Sequence, residues 1–162
     1  MAVRRCADLP WAELREGDAR ALEAPDGSFD AAVCTQVLEY VPEVDVALGE
    51  LFRVLRPGGR LLLVDTDWRG ALVWHTMDEA RMGRVLAAWE AHCAHPTLPR
   101  TLGPRLRRAG FAVEHVETLT ILNPRLHEDT YSHGIIGLIR SSSPGATSRR
   151  QRWRPGRWSC AS

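Results

Sequence analysis

The sequence contains no lysine, no long apolar run and no paired cysteines. All 21 basic residues are arginine. The longest unbroken aliphatic run, Leu61 to Val64, is far too short to span a membrane, and no apolar stretch follows the arginines near the N-terminus. We therefore expect neither a membrane span nor a signal peptide. The four cysteines are scattered without a C-x-x-C pair, which argues against a disulfide framework and predicts a reducing, cytoplasmic location.

Acidic residues are absent after Asp129. Residues 141–162 hold five arginines, a Ser-Ser-Ser-Pro-Gly stretch and no hydrophobic periodicity. We therefore expect residues 1–140 to form one partial domain and residues 141–162 to be a disordered, Arg-rich tail. Trp153 and Trp158 among these arginines raise the alternative of nucleic-acid binding by phosphate contacts and stacking. Such a match is weak evidence, so the sequence favours the disordered tail.

Hydrophobic patterning in the centre of the chain predicts an α/β fold. Apolar residues recur at helical spacing over Val44–Leu55, and Pro57-Gly58-Gly59 follows as a tight turn. The next segment, Arg60–Asp65, is a strand without alternation, which predicts burial on both faces. Together with the apolar strand Phe29–Cys34, these elements form a predicted βαβ crossover.

Weaker patterns extend the prediction on both sides of this crossover. They indicate a strand over Trp11–Arg15, helices over Asp78–Ala94 and Arg100–Ala109, a strand over Phe111–Leu122, and a last segment over Glu128–Ile139 that suits either a helix or a strand. Asp78 is placed to cap the first of these helices, and Gly110 stands at the C-cap of the second.

Three stretches in chain order carry a resemblance to a known family: Gly17-Asp18-Ala19, Ser28–Val33 and Arg53–Asp65. Together they resemble the middle of class I S-adenosylmethionine (SAM)-dependent methyltransferases, in the subgroup typified by ubiquinone and menaquinone biosynthesis methyltransferases. The resemblance covers roughly residues 11–122. It implies a partial Rossmann-like sheet comprising family strands 3 to 6 with flanking helices. It also implies SAM as cofactor and a small-molecule methyl acceptor.

The resemblance implies four cofactor-binding residues. In the family, the carboxylate at Asp18 accepts a hydrogen bond from the adenine amino group, and the backbone N–H at Ala19 serves the adenine ring. Thr35 follows the next strand and is expected to touch the cofactor near its methionine half, with Gln36 bordering the same space. The alternative for Asp18 is an ordinary turn residue, which Asp favours in any protein.

The segment after Asp65 leaves the carboxyl end of a strand, where a methyl acceptor is expected. Asp67 and His75 are candidate bases for acceptors that must lose a proton, and Trp68 and Trp74 are candidate walls of the acceptor site. The plainer interpretations are a loop acid, a surface histidine and packed indoles, and the sequence does not decide between them.

His92-x-x-His95, with Cys93 between the two histidines, has the spacing of a metal-binding pair on a helix. A zinc site needs three or four ligands, and no further ligand stands near in the sequence. We therefore expect no metal site and interpret these residues as ordinary groups at a helix end.

Two features of the resembled family are missing from the sequence: a first strand ending in Gly-x-Gly-x-Gly, and a second strand ending in an acid for the ribose hydroxyls. The family strand order 3-2-1-4-5-7-6 places both between strands 3 and 4. Without the first βαβ unit, strand 4 (Phe29–Cys34) is expected to become an exposed apolar edge. The seventh strand is also not evident.

Three interpretations follow from these absences. The chain is a methyltransferase fragment, inactive in this form if the missing parts are essential. Alternatively, it is a non-catalytic remnant that acts as an interaction module, as a homo-oligomer or with a separate N-terminal half. The third possibility is a nucleotide-binding oxidoreductase-type α/β protein, which the lack of a dinucleotide-binding loop disfavours.

Overall fold

A computed structural model describes residues 8–70, 75–125, 127–142 and 158–161. The elements in chain order are β1 (Leu14–Gly17), β2 (Phe29–Thr35), a 3-10 helix (Leu38–Tyr40), α1 (Val44–Val54), β3 (Leu55–Val64), α2 (Glu79–Glu90), α3 (Pro99–Arg108), α4 (Tyr131–Ser142) and β4 (Trp158–Ala161). This mixture of four helices with a parallel strand pair confirms the predicted α/β class.

The predicted βαβ crossover is confirmed in the centre of the fold. Strands β2 and β3 run parallel, and their register runs from Ala31 opposite Arg60 to Thr35 opposite Val64. Helix α1 connects them and buries an apolar stripe that includes Val44 and Leu48. Parallel strands need such a crossover connection, so the helical spacing in the sequence was sufficient to predict this unit.

The Pro57-Gly58-Gly59 segment lies inside β3 and not between the helix and the strand, which corrects the predicted boundary. Strand β3 begins directly after α1 because Leu55 already pairs with Phe29, and the register shifts after that pair. Gly58 has a φ of 80°. A Cβ at Gly59 would lie 2.9 Å from the carbonyl oxygen of Arg56, so only glycine fits this irregularity without a shift.

One face of the β2–β3 pair is covered by the first core cluster. Its buried members come from β2, the 3-10 helix, α1 and the start of α3: Cys34, Leu38, Val41, Val44, Ala47, Leu48 and Leu98. The opposite face is bare, since Val33 is 70% exposed and its partner across the strands, Leu62, is 57% exposed. The prediction that the second strand is buried on both faces is therefore wrong for the described structure, because helices pack on one side only.

The predicted strand over Phe111–Leu122 is also wrong. The structure assigns neither helix nor strand to these residues, and Val116, Leu119 and Leu122 are 80%, 67% and 81% exposed. Phe111 packs against α1, with its ring 5.1 Å from that of Phe52 in an edge-to-face contact. The apolar, β-prone composition suits a strand, but no neighbouring strand pairs with the segment in the described part of the chain.

Strand β1 pairs antiparallel with β4, from Leu14 opposite Ala161 to Gly17 opposite Trp158. Four residues inside the expected disordered tail thus form a strand, while residues 143–157 lie outside the described residues. β1 also begins later than the predicted Trp11–Arg15, after a turn closed by the hydrogen bond from Ala12 N to Leu9 O (3.0 Å).

The helix ends follow the predicted capping residues. The Asp78 side chain accepts a hydrogen bond from the backbone N–H of Arg81 (2.8 Å) at the start of α2. Gly110 takes a φ of 104° one residue beyond Ala109, the C-cap of α3. The ambiguous last segment is helical, as α4. Among the described residues, no helix combines the length and apolarity needed to cross a membrane.

Candidate functional site at the carboxyl edge of the parallel strands

The candidate site lies where β2 and β3 end side by side. Thr35 is the exposed last residue of β2, and Gln36 continues the pairing by donating its backbone N–H to the carbonyl of Val64 (2.7 Å). Gln36 has a φ of 52°, and it is the one non-glycine residue with positive φ in the described part of the chain. Such strained backbone persists where the surroundings hold it in place, and it often marks a functional position.

The Gln36 side chain connects three parts of the molecule. Its Nε2 donates to Thr66 Oγ1 (2.9 Å) and to the hydroxyl oxygen of Tyr131 (2.8 Å). Thr66 follows β3, and Tyr131 begins α4. The predicted cofactor residue Gln36 is thus fixed between the two strand ends and the last helix, and both protons of its amide group have acceptors.

Two carboxyl groups that the sequence reasoning did not single out lie beneath this edge. Glu39 is 0% exposed, and its Oε2 accepts a hydrogen bond from the backbone N–H of Thr66 (3.2 Å). Its Oε1 and both carboxylate oxygens of Asp65 are buried without a hydrogen-bond partner. The available signal was an acid within the apolar run Val37–Val41 and another at the end of an apolar strand.

Burial governs the protonation of both acids. It raises the pKa of Asp65 to about 7, with the negative charge of Glu39 as the second cause, and the backbone amides of Val37 and Glu39 oppose this only in part. Burial likewise raises the pKa of Glu39, against smaller opposing effects from the Tyr40 hydroxyl, the Thr66 amide and the Trp68 indole.

Asp18 follows β1 as predicted, but its carboxylate is already occupied. Arg20 donates to Oδ1 through its backbone N–H (2.9 Å) and to Oδ2 through Nη2 (2.7 Å), and these hydrogen bonds lower the pKa of Asp18. The Asp18 carbonyl also accepts from the N–H of Ala21 (3.0 Å), which closes a turn. Ala19 packs against the first core cluster. These contacts of Asp18 are the ones expected of an ordinary turn residue.

The two candidate bases lie in different settings. Asp67 pairs with Arg100 (2.6 Å) and accepts the backbone N–H of Gly70 (3.1 Å), and the Arg100 hydrogen bond is the main cause of its lowered pKa. His75 is exposed, and no described contact brings it to Asp67. An ion-paired carboxylate with a lowered pKa is a weak proton acceptor at neutral pH.

Trp68 is a core residue and not an open wall. It is 3% exposed, and its ring lies 5.2 Å from that of Trp89 in a tilted contact. These two indoles belong to a second core cluster, completed by Cys93, Ile135 and Ile139, which packs α2 against α4. The packed-indole interpretation of Trp68 therefore describes the structure, and Trp74 lies outside the described residues.

The residues with metal-pair spacing take separate roles. His92 stacks on Trp89 with ring centroids 5.8 Å apart, and His95 donates its Nε2–H to the carbonyl of Pro42 (2.9 Å). Cys93 is buried in the second core cluster. Within the described ranges, no group of three His, Cys, Asp or Glu side chains is arranged to hold a metal ion.

Comparison with known proteins finds similarity to methyltransferases over part of the chain. Residues 1–63 match the model of a methyltransferase domain, a segment that includes β1, β2, α1 and most of β3. A demethylmenaquinone methyltransferase from Streptomyces avermitilis is 32% identical over 118 residues, which is 64% of this chain and 51% of the relative. Another from Listeria welshimeri is 45% identical over 80 residues, or 49% of this chain and 34% of the relative.

A third relative extends the match but has no assigned activity. It is an uncharacterized 37.1 kDa protein in transposon TN4556 of Streptomyces fradiae, 34% identical over 119 residues, which is 74% of this chain and 34% of that protein. This chain thus spans between about a third and a half of these relatives' length. Over the matched segments the chain is similar to methyltransferases, in agreement with the resemblance that the three ordered motifs carry.

Proposed function

We propose that this chain takes part in SAM-dependent methyl transfer to a small-molecule acceptor. The observation that carries the proposal is the coincidence of two findings. The matched segment builds the parallel pair β2–β3, and the carboxyl edge of that pair gathers Thr35, Gln36 and Thr66 around a strained backbone position. Ligands of open α/β sheets bind beyond the carboxyl ends of the strands.

The described residues fit the cofactor in part. Thr35 is exposed at the strand end and carries a hydroxyl group, and Gln36 is held by its hydrogen bonds beside it, so both suit the methionine half of SAM. Asp18 suits the adenine amino group only if one of its bonds to Arg20 is exchanged, since Arg20 already reaches both carboxylate oxygens. The Ala19 N–H is the proposed donor to the ring. Bound SAM supplies a methyl group that its sulfonium already activates.

Methyl transfer asks the protein chiefly for alignment of acceptor and methyl group. For an acceptor that must lose a proton, His75 is the better of the two proposed bases, because Asp67 is held by Arg100 and its pKa is lowered. The curated relatives include demethylmenaquinone methyltransferases, and a quinone-type acceptor is therefore the first class to test.

Calorimetric titration with S-adenosylhomocysteine, beside NAD, tests the proposal. We expect the folded chain to bind the homocysteine compound with a Kd in the micromolar range, roughly −8 kcal/mol, and not to bind NAD. Preferential binding of NAD would instead favour the oxidoreductase-type interpretation. A folded chain that binds neither would contradict a cofactor site formed by this chain alone.

The bare face of the strand pair favours a second candidate, a chain that works with a separate N-terminal half. Val33 and Leu62 are paired and exposed, and β2 pairs only with β3 in the described structure. The partner is a polypeptide with the strand–helix unit that the relatives' greater length can supply. When the N-terminal segment of the Streptomyces avermitilis relative is added, the mixture should bind S-adenosylhomocysteine. The Val33→Arg variant should not bind it under the same conditions, and equal binding by that variant would contradict this candidate.

A further inference from the structure

We propose that Glu39 and Asp65 form a buried carboxyl pair that holds one proton in mildly acidic solution, loses it near neutral pH and thereby sets the positions of Thr66 and Gln36. The role of these two residues in binding rests on the proposed function, but the pair itself does not. The two acids act as a positioning device beneath the carboxyl edge and do not touch a ligand, because three of their oxygens are closed to solvent in the structure.

Most oxygens of the two buried acids lack a hydrogen-bond donor. Three carboxylate oxygens, Glu39 Oε1 and both of Asp65, are buried, and no donor meets them at a normal hydrogen-bond distance and angle. The nearby Val37 and Glu39 amides, the Tyr40 hydroxyl and the Trp68 indole offset the effect of burial only in part. None of the ion pairs in the described part of the chain includes either residue. Two uncompensated charges in such a place are costly, and a buried carboxyl group avoids that cost by keeping its proton.

Among the described residues, no positively charged group acts on the pair. Two titratable groups face the carboxyl pair, Tyr40 in the 3-10 helix and Cys93 beyond α2. Tyr131 in α4 acts on Tyr40 and accepts the hydrogen bond of Gln36. Burial raises the pKa of Cys93 to about 12, with Glu39, Glu90 and Asp65 adding to it, and burial also raises the pKa of Tyr40. Tyr40 and Cys93 therefore stay neutral between pH 5 and 8.

The pair is coupled to the candidate site through Thr66. Asp65 precedes Thr66 in the chain, and Glu39 Oε2 accepts the Thr66 backbone N–H. The Thr66 hydroxyl in turn accepts from Gln36 Nε2, which also reaches Tyr131. When the carboxyl pair loses its remaining proton, a negative charge appears next to the Thr66 backbone amide. The environments of Thr66 and Gln36 should therefore change with the protonation of the pair.

The pH dependence has a definite sign. The pKa of Asp65 is raised on folding to about 7, so its contribution to stability is complete below its unfolded pKa and is lost as the pH rises through the folded value. We expect the Tm of the 162-residue chain to fall by about 5 °C or more between pH 5 and pH 8. Asp65→Asn should remove most of this fall, whereas the matched control Asp67→Asn should keep it.

A ligand-free NMR titration tests the coupling. The Thr66 backbone amide and the Gln36 side-chain amide should shift with one common midpoint near pH 7 in the unaltered chain, and not in Asp65→Asn. If Asp65→Asn does not fold, the infrared band of a protonated carboxyl group in the unaltered chain should still fade through the same midpoint. A flat Tm, or resonances that ignore pH, would overturn the proposal. The NMR and Tm experiments use no cofactor. A failure of the proposed function would therefore appear separately, in the titration with S-adenosylhomocysteine.

Discussion

Arg53, the first residue of the motif Arg53–Asp65, has a structural role in the fold. Arg53, in the motif before Pro57-Gly58-Gly59, bonds both oxygens of Glu50 (2.8 Å each) and the carbonyls of Leu22 (3.0 Å) and Ala24 (2.8 Å). Its guanidinium therefore fastens the loop before β2 to α1. The motif arginine has a structural role, which its position in the sequence does not reveal.

Replacing Arg53 should destabilise the fold clearly. Arg53→Met keeps the apolar stem but removes every guanidinium donor. The carbonyls of Leu22 and Ala24 then lose this partner, and the part-buried Glu50 keeps the Leu22 backbone N–H as its remaining donor. Charge-assisted hydrogen bonds are each worth about 1.5–3 kcal/mol, so we expect a loss of about 2–4 kcal/mol in chemical denaturation.

Arg56→Met is the matched control for Arg53. Arg56 makes a single ion pair, with Asp30, and both side chains are well exposed. Exposed pairs contribute about 0–1 kcal/mol, so the control should change little. Equal losses for the two variants would show that the Arg53 contacts do not hold the loop.

The sequence predicted caps but not the buried acids at this scale. Asp78 and Gly110 were placed correctly because capping depends on local backbone geometry. Glu39 and Asp65 were missed because the burial of an acid depends on segments distant in the chain, such as those that bring Cys93 and Tyr131 against Tyr40. Local sequence carries no record of that packing.

At the scale of elements, strong periodicity was a reliable guide, whereas composition alone was not. The apolar stripe of α1 and the parallel pair β2–β3 were predicted because the spacing of the apolar residues in the sequence is typical of the helix or strand that buries them. The segment 111–122 has strand-like composition, yet it is exposed and unpaired in the described structure. A strand needs a neighbour, and a neighbour cannot be read from the segment itself.

The irregular start of β3 should depend on Gly59. A Cβ there would lie 2.9 Å from Arg56 O and 3.1 Å from Asp30 O, so Gly59→Ala should cost about 1–3 kcal/mol of stability. Gly49→Ala in α1 is the control, since no atom lies within 4 Å of the added methyl group, and it should stabilise the helix by up to about 1 kcal/mol. Thermal unfolding of both variants measures the difference, and a Gly59→Ala variant as stable as the parent would contradict the close approach.

For the whole molecule, the described fold is the crossover β2–α1–β3 with helices on one face. The pairing of β1 with β4 was not predicted, because the Arg-rich sequence before β4 indicated disorder. The bare face at Val33 and Leu62 follows from the same architecture, since α1 and α3 cover only the other side. Sequence patterns pointed to the methyltransferases that the comparisons also found, but they could not show which surfaces remain uncovered.

The affinity of the chain for S-adenosylhomocysteine, compared between Thr35→Val and the exposed control Thr118→Val, tests the central claim most directly. If the carboxyl edge of β2–β3 holds the cofactor, loss of the Thr35 hydroxyl should weaken binding by up to about tenfold, as one hydrogen bond is worth, while Thr118→Val binds like the parent. Equal affinities in the two variants, or no binding by any folded form, would contradict a cofactor site at this edge.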